Sequence, residues 1–216
     1  MFQVSAALLF FQSVLGLPDI VAPPPRPTNY SYSVTGDGYD SLYAVIHPTG
    51  TSTNGRMRLV QFSTSTPIQN QNFTIACSQS INYRTGYEGH TGNWTLHCFP
   101  REFSGSCDSQ IAAYDMLMWP NSSYVLLQKS AICQTARAHK ASSLRQVACD
   151  IFGPPGGDPN RTSFAFKAGT SIPLYSKGCY PNEPWCSIVF YDNWQQGSMS
   201  PEKLACDSVC TSLGCD

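Results

Sequence analysis

The stretch "NWTLHCFPREFSGSCD", residues 93–108, combines a β-strand pattern, a glycosylation sequon and two cysteines. Trp94, Leu96 and Cys98 stand at alternate positions, which is the period of a β-strand with one face in an apolar core. The strand opens with a glycosylation sequon at Asn93, and an N-linked glycan needs backbone at a surface that faces the secretory lumen. The stretch therefore predicts a secreted β protein whose strand directs Trp94, Leu96 and Cys98 inward and its other face toward solvent.

Similar strand-like segments lie on both sides of this stretch. Phe73, Ile75 and Cys77 alternate in the same way, and Phe164 and Phe166 share one face of "SFAFKAG". We predict strands over 30–34, 42–46, 56–62, 72–78, 93–99, 123–128, 144–152, 162–169 and 186–194, and one weak helix over 112–119, whose apolar end also fits a strand. Turn-forming clusters such as "STNG" and "GPPGG" separate them. Many short strands with regular turns predict an antiparallel β-sandwich.

The N-terminal residues predict export. Residues 1–16 form an apolar run that ends in small Gly16, which is typical of a secretory signal peptide cleaved after that residue. The run lacks a charged n-region, and the alternative is a buried N-terminal strand. Residues 17–29 contain five prolines and predict a stiff, polyproline-like arm ahead of a β-sandwich domain over 30–216. No later stretch reaches the roughly 18 to 20 apolar residues of a membrane span. We therefore expect a soluble, secreted chain that does not insert into membranes.

The cysteines predict a disulfide framework. An even number of cysteines behind a signal peptide is typical of paired half-cystines, and the chain has ten. They are Cys77, Cys98, Cys107, Cys133, Cys149, Cys179, Cys186, Cys206, Cys210 and Cys215. We expect all ten to be oxidised, with Cys98 paired within its sheet or across to the other sheet. We also expect a local Cys179–Cys186 loop, because "YPNEP" can reverse the chain. Most other pairings stay open.

A zinc site is the rival interpretation of the cysteines. The sequence has no C-x-x-C pair, and adjacent His97 and Cys98 would point to opposite faces of a strand. We therefore expect no metal.

Charged residues are sparse, at 12% of the chain with a net charge of −1. A nucleic-acid partner or an anionic membrane would need a basic surface, so the sequence argues against both. Five sequons are present instead, at Asn29, Asn72, Asn93, Asn121 and Asn160. We expect a surface shielded by glycans, which also fits an ordinary secreted glycoprotein. The glycans at Asn72, Asn93, Asn121 and Asn160 should mark faces that a ligand does not use.

The sequence offers no catalytic constellation. Ser106 in "FSGSCD" is the best nucleophile candidate, but it lacks the G-x-S-x-G elbow. No histidine stands in a recognisable relation to an acid, and the four glutamates are too scattered to suggest a glycosidase pair. We expect a protein that is not an enzyme and that uses no cofactor.

The order of several short segments resembles a known family. "LYAVI" (42–46) is followed by "FTIACS", "TLHCF", "SFAFKAG" (163–169), "IVFYDN" and "KLACDS" (203–208). This succession resembles the N-terminal domain of coronavirus spike attachment subunits, most of all those of gammacoronaviruses. The resemblance covers about residues 30–215. It departs from the family pattern at the pair Cys179 and Cys186.

The resemblance implies a galectin-like β-sandwich on a virion surface. Such a domain would bind host cell-surface glycans, sialylated in several relatives, or a protein receptor. A spike would continue past Asp216, so this chain is expected to be either a detached domain or a free-standing secreted relative. A second function fits the same composition, namely a secreted protein-binding decoy or immune modulator without sugar specificity. The oligomeric state is left open.

The loop "INYRTGYEGHTGN" is the predicted ligand site. It contains Tyr83, Arg84, Tyr87 and His90 between two predicted strands. A tyrosine ring offers a flat apolar face to a sugar, and an arginine fork matches the carboxylate of sialic acid. The alternative is a solvent-exposed hairpin tip with no ligand.

Overall fold

The computed structural model describes residues 21–36, 39–50, 52–63, 65–66, 69–90, 92–135, 145–179 and 186–215. The predicted signal peptide and residues 17–20 of the arm lie outside them. The rest of the arm, from Val21, runs without regular structure against the folded domain. The Val21 carbonyl accepts a hydrogen bond from the Leu126 amide at 3.2 Å, and the Pro24 carbonyl accepts one from Trp119 Nε1 at 2.9 Å. These backbone hydrogen bonds hold the arm along the sandwich.

The described chain contains twelve strands. They are β1 (Asn29–Gly36), β2 (Tyr39–Ile46), β3 (Arg56–Ser63), β4 (Gln71–Ala76), β5 (Ile81–His90), β6 (Asn93–Glu102), β7 (Val125–Thr135), β8 (Arg145–Gly153), β9 (Ser163–Lys167), β10 (Pro173–Cys179), β11 (Cys186–Phe190) and β12 (Asp192–Gln196). Sheet A has the order β12-β1-β2-β3-β4-β5-β6, and sheet B has the order β11-β10-β9-β8-β7. All pairings are antiparallel. The predicted all-β sandwich is confirmed.

Three short helices accompany the sheets: α1 (Cys107–Tyr114), α2 (Pro201–Leu204) and α3 (Ser208–Thr211). The predicted helix over 112–119 was misplaced, because the helix ends at Tyr114. α1 begins where Ser106 caps it by accepting a hydrogen bond from the Ser109 amide at 3.2 Å. The serine considered as a nucleophile is thus an N-cap residue in the structure.

Two of the predicted segments have a different form. The loop predicted over residues 81–93 is mostly β5, which pairs with both β4 and β6. The single strand predicted over 186–194 is β11 and β12, which belong to different sheets and are separated only by Tyr191. The Tyr191 hydroxyl holds this crossing through Ser176 Oγ at 2.7 Å and the Met116 carbonyl at 3.0 Å.

The core between the sheets is rich in aromatic side chains. The Tyr32 and Tyr43 rings stack with centroids 4.7 Å apart, and Trp119 packs edge-on against Phe166 at 4.9 Å. Sheet A supplies one wall from alternate residues of β1 to β4, and sheet B supplies the other from β8 and β9. Burial of such large rings is the dominant favourable contribution to folding.

One carboxylate, Asp115, is buried in this core. Its oxygens accept hydrogen bonds from the Tyr30 and Tyr32 hydroxyls and, at 3.1 Å, from Arg26 of the arm. The Leu117 amide donates a fourth bond at 3.0 Å. A buried charge is tolerated only when it is paired and hydrogen-bonded, and this arrangement meets both conditions.

Five disulfides join all ten cysteines. The pairs are Cys77–Cys107, Cys98–Cys210, Cys133–Cys149, Cys179–Cys186 and Cys206–Cys215. Complete oxidation and the local Cys179–Cys186 loop are confirmed. The predicted partner of Cys98 was wrong, because Cys210 lies in α3, beyond the last strand. Disulfides of this density agree with an extracellular protein.

The predicted orientation of β6 was also wrong. Trp94 is 45% exposed, and Leu96 and Cys98 are only half-buried. β6 is an edge strand of sheet A, and this face meets the C-terminal residues around Cys210 instead of sheet B. The alternate residues of β6, including Thr95, His97 and Phe99, therefore lie on the inner face of the sheet.

Candidate functional site

The inner face of sheet A extends beyond the core at β5 and β6. Phe73 of β4 is directly opposite Arg84 of β5, which is opposite Phe99 of β6. Residues in register share one face of a sheet, and Phe73 belongs to the core between the sheets. Arg84 and Phe99 are nevertheless exposed. This end of the inner face is therefore open to solvent.

An open cavity of about 320 Å³ lies on this exposed face. Its size falls within the range of ligand-binding pockets. We call it the inner groove, and it is lined by Gln71, Phe73, Asn82, Arg84, Phe99, Arg101 and Tyr114, among others.

Helix α1 forms one wall of the inner groove. The Cys77–Cys107 disulfide fixes its first residue to the end of β4, and fully buried Ile111 anchors its middle. Tyr114 in the last turn is 44% exposed, and its ring lies 4.3 Å from that of Phe73. The disulfide and the buried contact hold this aromatic wall against the sheet.

Phe99 forms the aromatic floor of the inner groove. Its ring is 41% exposed although it is large and apolar. It lies close over Gly86, where an added Cβ would be 3.3 Å from Phe99 Cε2. A side chain at position 86 would push the ring away from the sheet. The glycine thus allows a flat aromatic surface here.

Two arginines and several amide side chains supply most of the polar groups of the inner groove. Arg84 Nη2 donates to Gln71 Oε1 at 2.7 Å, which holds the guanidinium along the groove. Arg101 is exposed and forms no salt bridge with any described residue. Asn82 is only 8% exposed, and its Oδ1 has no hydrogen-bond partner in the described part of the chain. Unpartnered buried polar atoms are rare, because they cost free energy. The groove therefore carries positive charge, planar donors and an unused acceptor.

Of the predicted site residues whose side chains the structure describes, Tyr83, Arg84 and Tyr87, only Arg84 lies in the inner groove. Alternation along β5 places Arg84 on the inner face and Tyr83 and Tyr87 on the outer face. Tyr83 is buried, and its hydroxyl donates to Gln79 Oε1 at 2.8 Å. Tyr87 lies with Leu96 on the outer face. The backbone of His90 pairs with that of Asn93, and the His90 side chain lies outside the described part of the chain.

Sequence reasoning missed Phe99, Arg101 and Tyr114. The prediction directed Trp94, Leu96 and Cys98 of β6 into the core. Phe99 and Arg101 were therefore assigned to a solvent-exposed face with no expected function. With the opposite orientation of β6, Phe99 and Arg101 would have been predicted to lie side by side on the inner face of the sheet. Tyr114 had no sequence signal, since only the helix position brings it to the groove.

The sequons differ in their surroundings. Asn93, Asn121 and Asn160 are exposed, and Asn29 is half-buried in β1. Asn72 is half-buried on the outer face, where its Nδ2 donates a hydrogen bond to Asp207. Asn93 lies on the groove side of β6 by alternation, but it is six residues from Phe99, or about 20 Å along the strand.

No family model matches this chain, and no curated protein is significantly similar to it. Among the described residues, no helix is long and apolar enough to cross a membrane. The same residues include no group of three or more His, Cys, Asp or Glu side chains placed to hold a metal ion.

Proposed function

We propose that this protein binds carbohydrate in the inner groove and serves as a viral attachment domain on a virion or as a secreted relative of one. The main support is the open aromatic surface of Phe99 and Tyr114 beside Arg84 and Arg101. Ligand sites commonly present such exposed aromatic rings next to a few polar groups.

A sialylated glycan fits the chemistry of this groove. The apolar face of a pyranose ring can pack on Phe99 or Tyr114. A guanidinium can donate two parallel hydrogen bonds to a carboxylate. Arg84 and Arg101 each supply one guanidinium to the groove. The unpartnered Oδ1 of Asn82 would accept a hydrogen bond from a sugar hydroxyl or amide. The attachment role itself rests on the resemblance to coronavirus spike domains.

One observation favours the protein-binding alternative. The outer surface of sheet B exposes Ile188 at 44%, together with parts of Phe190 and Tyr175. Exposed apolar patches of this kind commonly mark protein contacts. A decoy or immune modulator would use this patch and would show no preference among sugars.

A glycan array with matched variants tests the proposal. The secreted protein is clustered on beads, so that avidity makes weak monovalent binding measurable. We expect binding to sialylated glycans, a loss of at least tenfold in Arg84→Gln and Phe99→Ala, and unchanged binding in the control Ile188→Ala. Thermal unfolding and circular dichroism confirm that each variant is folded.

Two results would contradict this account. Unchanged glycan binding in both groove variants would exclude the inner groove as the site. Absence of glycan binding, combined with saturable binding to a cell-surface protein that Ile188→Ala abolishes, would support the protein-binding alternative.

A further inference from the structure

A second cavity lies on the opposite face of sheet A. It spans β12, β1, β2 and β3, and helix α2 borders it. Since Tyr32 and Tyr43 point into the core, the alternate residues Ser31, Leu42 and Ala44 point outward. We call this cavity the outer trough, and it is lined by Ser31, Leu42, Arg58, Val60, Gln195 and Lys203, among others. Its volume is about 200 Å³.

The outer trough combines an apolar wall with two cations. Leu42 and Val60 are neighbours across β2 and β3, and Leu42 is 44% exposed. Arg58 lies one step further along β3, on the same face. Lys203 approaches from α2 and donates through Nζ to Ser31 Oγ at 3.1 Å and to Gln195 Oε1. An apolar surface thus ends at a cationic edge.

Arg58 and Lys203 lie close together and are poorly neutralised. Arg58 Nη1 donates to the Glu202 carbonyl at 3.0 Å, next to Lys203 in sequence. Neither cation forms a salt bridge with any described carboxylate. The negative charge of Asp207 acts on Arg58 from a distance, but Asp207 also accepts hydrogen bonds from Asn72 and the Val209 amide.

The Arg58 guanidinium also keeps an unused donor. Its Nε is buried and has no hydrogen-bond partner in the described ranges. Burial lowers the pKa of Arg58 from its ordinary value, although the side chain stays charged at neutral pH. An anion seated against Arg58 would offset that desolvation cost.

We propose that the outer trough binds a small amphipathic carboxylate, such as a medium-chain fatty acid anion or a one-ring aryl acid. The apolar part lies on Leu42 and Val60, and the carboxylate lies between Arg58 and Lys203. A cavity of about 200 Å³ is smaller than the pockets of drug-sized ligands, which limits the ligand to about ten heavy atoms. This site is on the other face of the sheet from the inner groove and does not depend on it.

Titration with octanoate, followed by amide chemical shifts, tests this site on the unaltered protein. Octanamide is the matched probe, because it keeps the chain and the shape but removes the charge. We expect saturable shifts of β2, β3 and α2 amides with octanoate, and at least tenfold weaker binding of octanamide, since charge-assisted hydrogen bonds are lost. Raising the salt concentration should weaken octanoate binding.

Variants assign the cations and separate this site from the glycan site. Arg58→Gln and Lys203→Gln should each weaken octanoate binding at least threefold, whereas Arg84→Gln in the inner groove should leave it unchanged. Glycan binding should show the opposite pattern. Equal affinities for octanoate and octanamide, shifts confined to the inner groove, or no saturable shifts at all would each overturn the proposal.

Discussion

Several tyrosines are buried in the core of the sandwich. Tyr30 and Tyr32 donate to the same buried carboxylate of Asp115, so that ionising either hydroxyl would place two negative charges together. Burial, reinforced by that carboxylate, raises the pKa of Tyr30 and of Tyr32 well above the ordinary value. Burial likewise raises the pKa of Tyr43 and of Tyr191 to about 12.

We therefore predict that the protein loses stability at alkaline pH. Above pH about 10 the unfolded chain releases tyrosine protons that the folded chain retains, so stability is complete below that pH and falls above it. Each such tyrosine contributes a slope of up to about 1.4 kcal/mol per pH unit. Urea unfolding from pH 8 to pH 11.5 measures this slope.

The variant Tyr32→Phe provides the control for the alkaline prediction. It should be less stable at pH 8 by about 1 to 3 kcal/mol, because Asp115 loses a hydrogen-bond donor. Its free energy of unfolding should also fall less steeply above pH 10. A stability that stays flat to pH 11.5 in the unaltered protein would show that the tyrosines are not buried as described.

Asn72 carries a sequon that the folded chain uses differently. Its Nδ2, the atom to which a glycan is attached, faces Asp207 beside α3. A glycan there would prevent the C-terminal residues from docking. We predict that the secreted, fully oxidised protein carries no glycan at Asn72, whereas exposed Asn160 is occupied. Glycopeptide mass spectrometry measures both occupancies, and a glycosylated Asn72 in protein with an intact Cys98–Cys210 bond would contradict the prediction.

At the scale of elements, apolar alternation explains which strands the sequence could predict. β4 and β9 place large apolar residues at every second position, so their pattern is local and readable. β5 has no such pattern, since its inner face presents Asn82 and Arg84 and Gly86 leaves room for a ring from β6. Its conformation is imposed by pairing with two neighbouring strands, which a local reading does not show.

The C-terminal residues form the element that depends most on a cross-link. Two short helices have little cohesion of their own, and the Cys98–Cys210 bond closes a separation of 112 residues to fasten α3 to β6. The sequence did not reveal this pairing, because the two cysteines come together only in the folded sandwich.

We predict that the Cys98–Cys210 bond contributes more to the free energy of unfolding than the local Cys179–Cys186 bond does. The variant Cys98→Ala/Cys210→Ala should lose up to about 4.8 kcal/mol by loop-closure entropy, against about 2.4 kcal/mol for Cys179→Ala/Cys186→Ala. The latter pair closes a separation of only 7 residues and is the matched control. Urea denaturation under non-reducing conditions measures both. An equal or larger loss in the control would contradict the assigned role of the long-range bond.

At the scale of the whole molecule, the inner groove and the outer trough lie on opposite faces of sheet A. The sequence predicted the fold class, because strand periodicity is a local feature. It also selected Arg84 as a candidate site residue, and Arg84 lines the inner groove. It could not predict the inner groove, which requires the inward face of β6 and the position of Tyr114 on α1. Both depend on how distant elements pack.

We propose that carbohydrate binds in the inner groove, and chemical-shift mapping with sialyllactose tests this binding. Lactose is the uncharged control. We expect saturable shifts of the Phe99 and Tyr114 ring protons and of amides around Arg84 and Arg101, with weaker shifts for lactose. Shifts that map to the outer trough or to the Ile188 surface of sheet B, with the Phe99 and Tyr114 rings unperturbed, would contradict the claim.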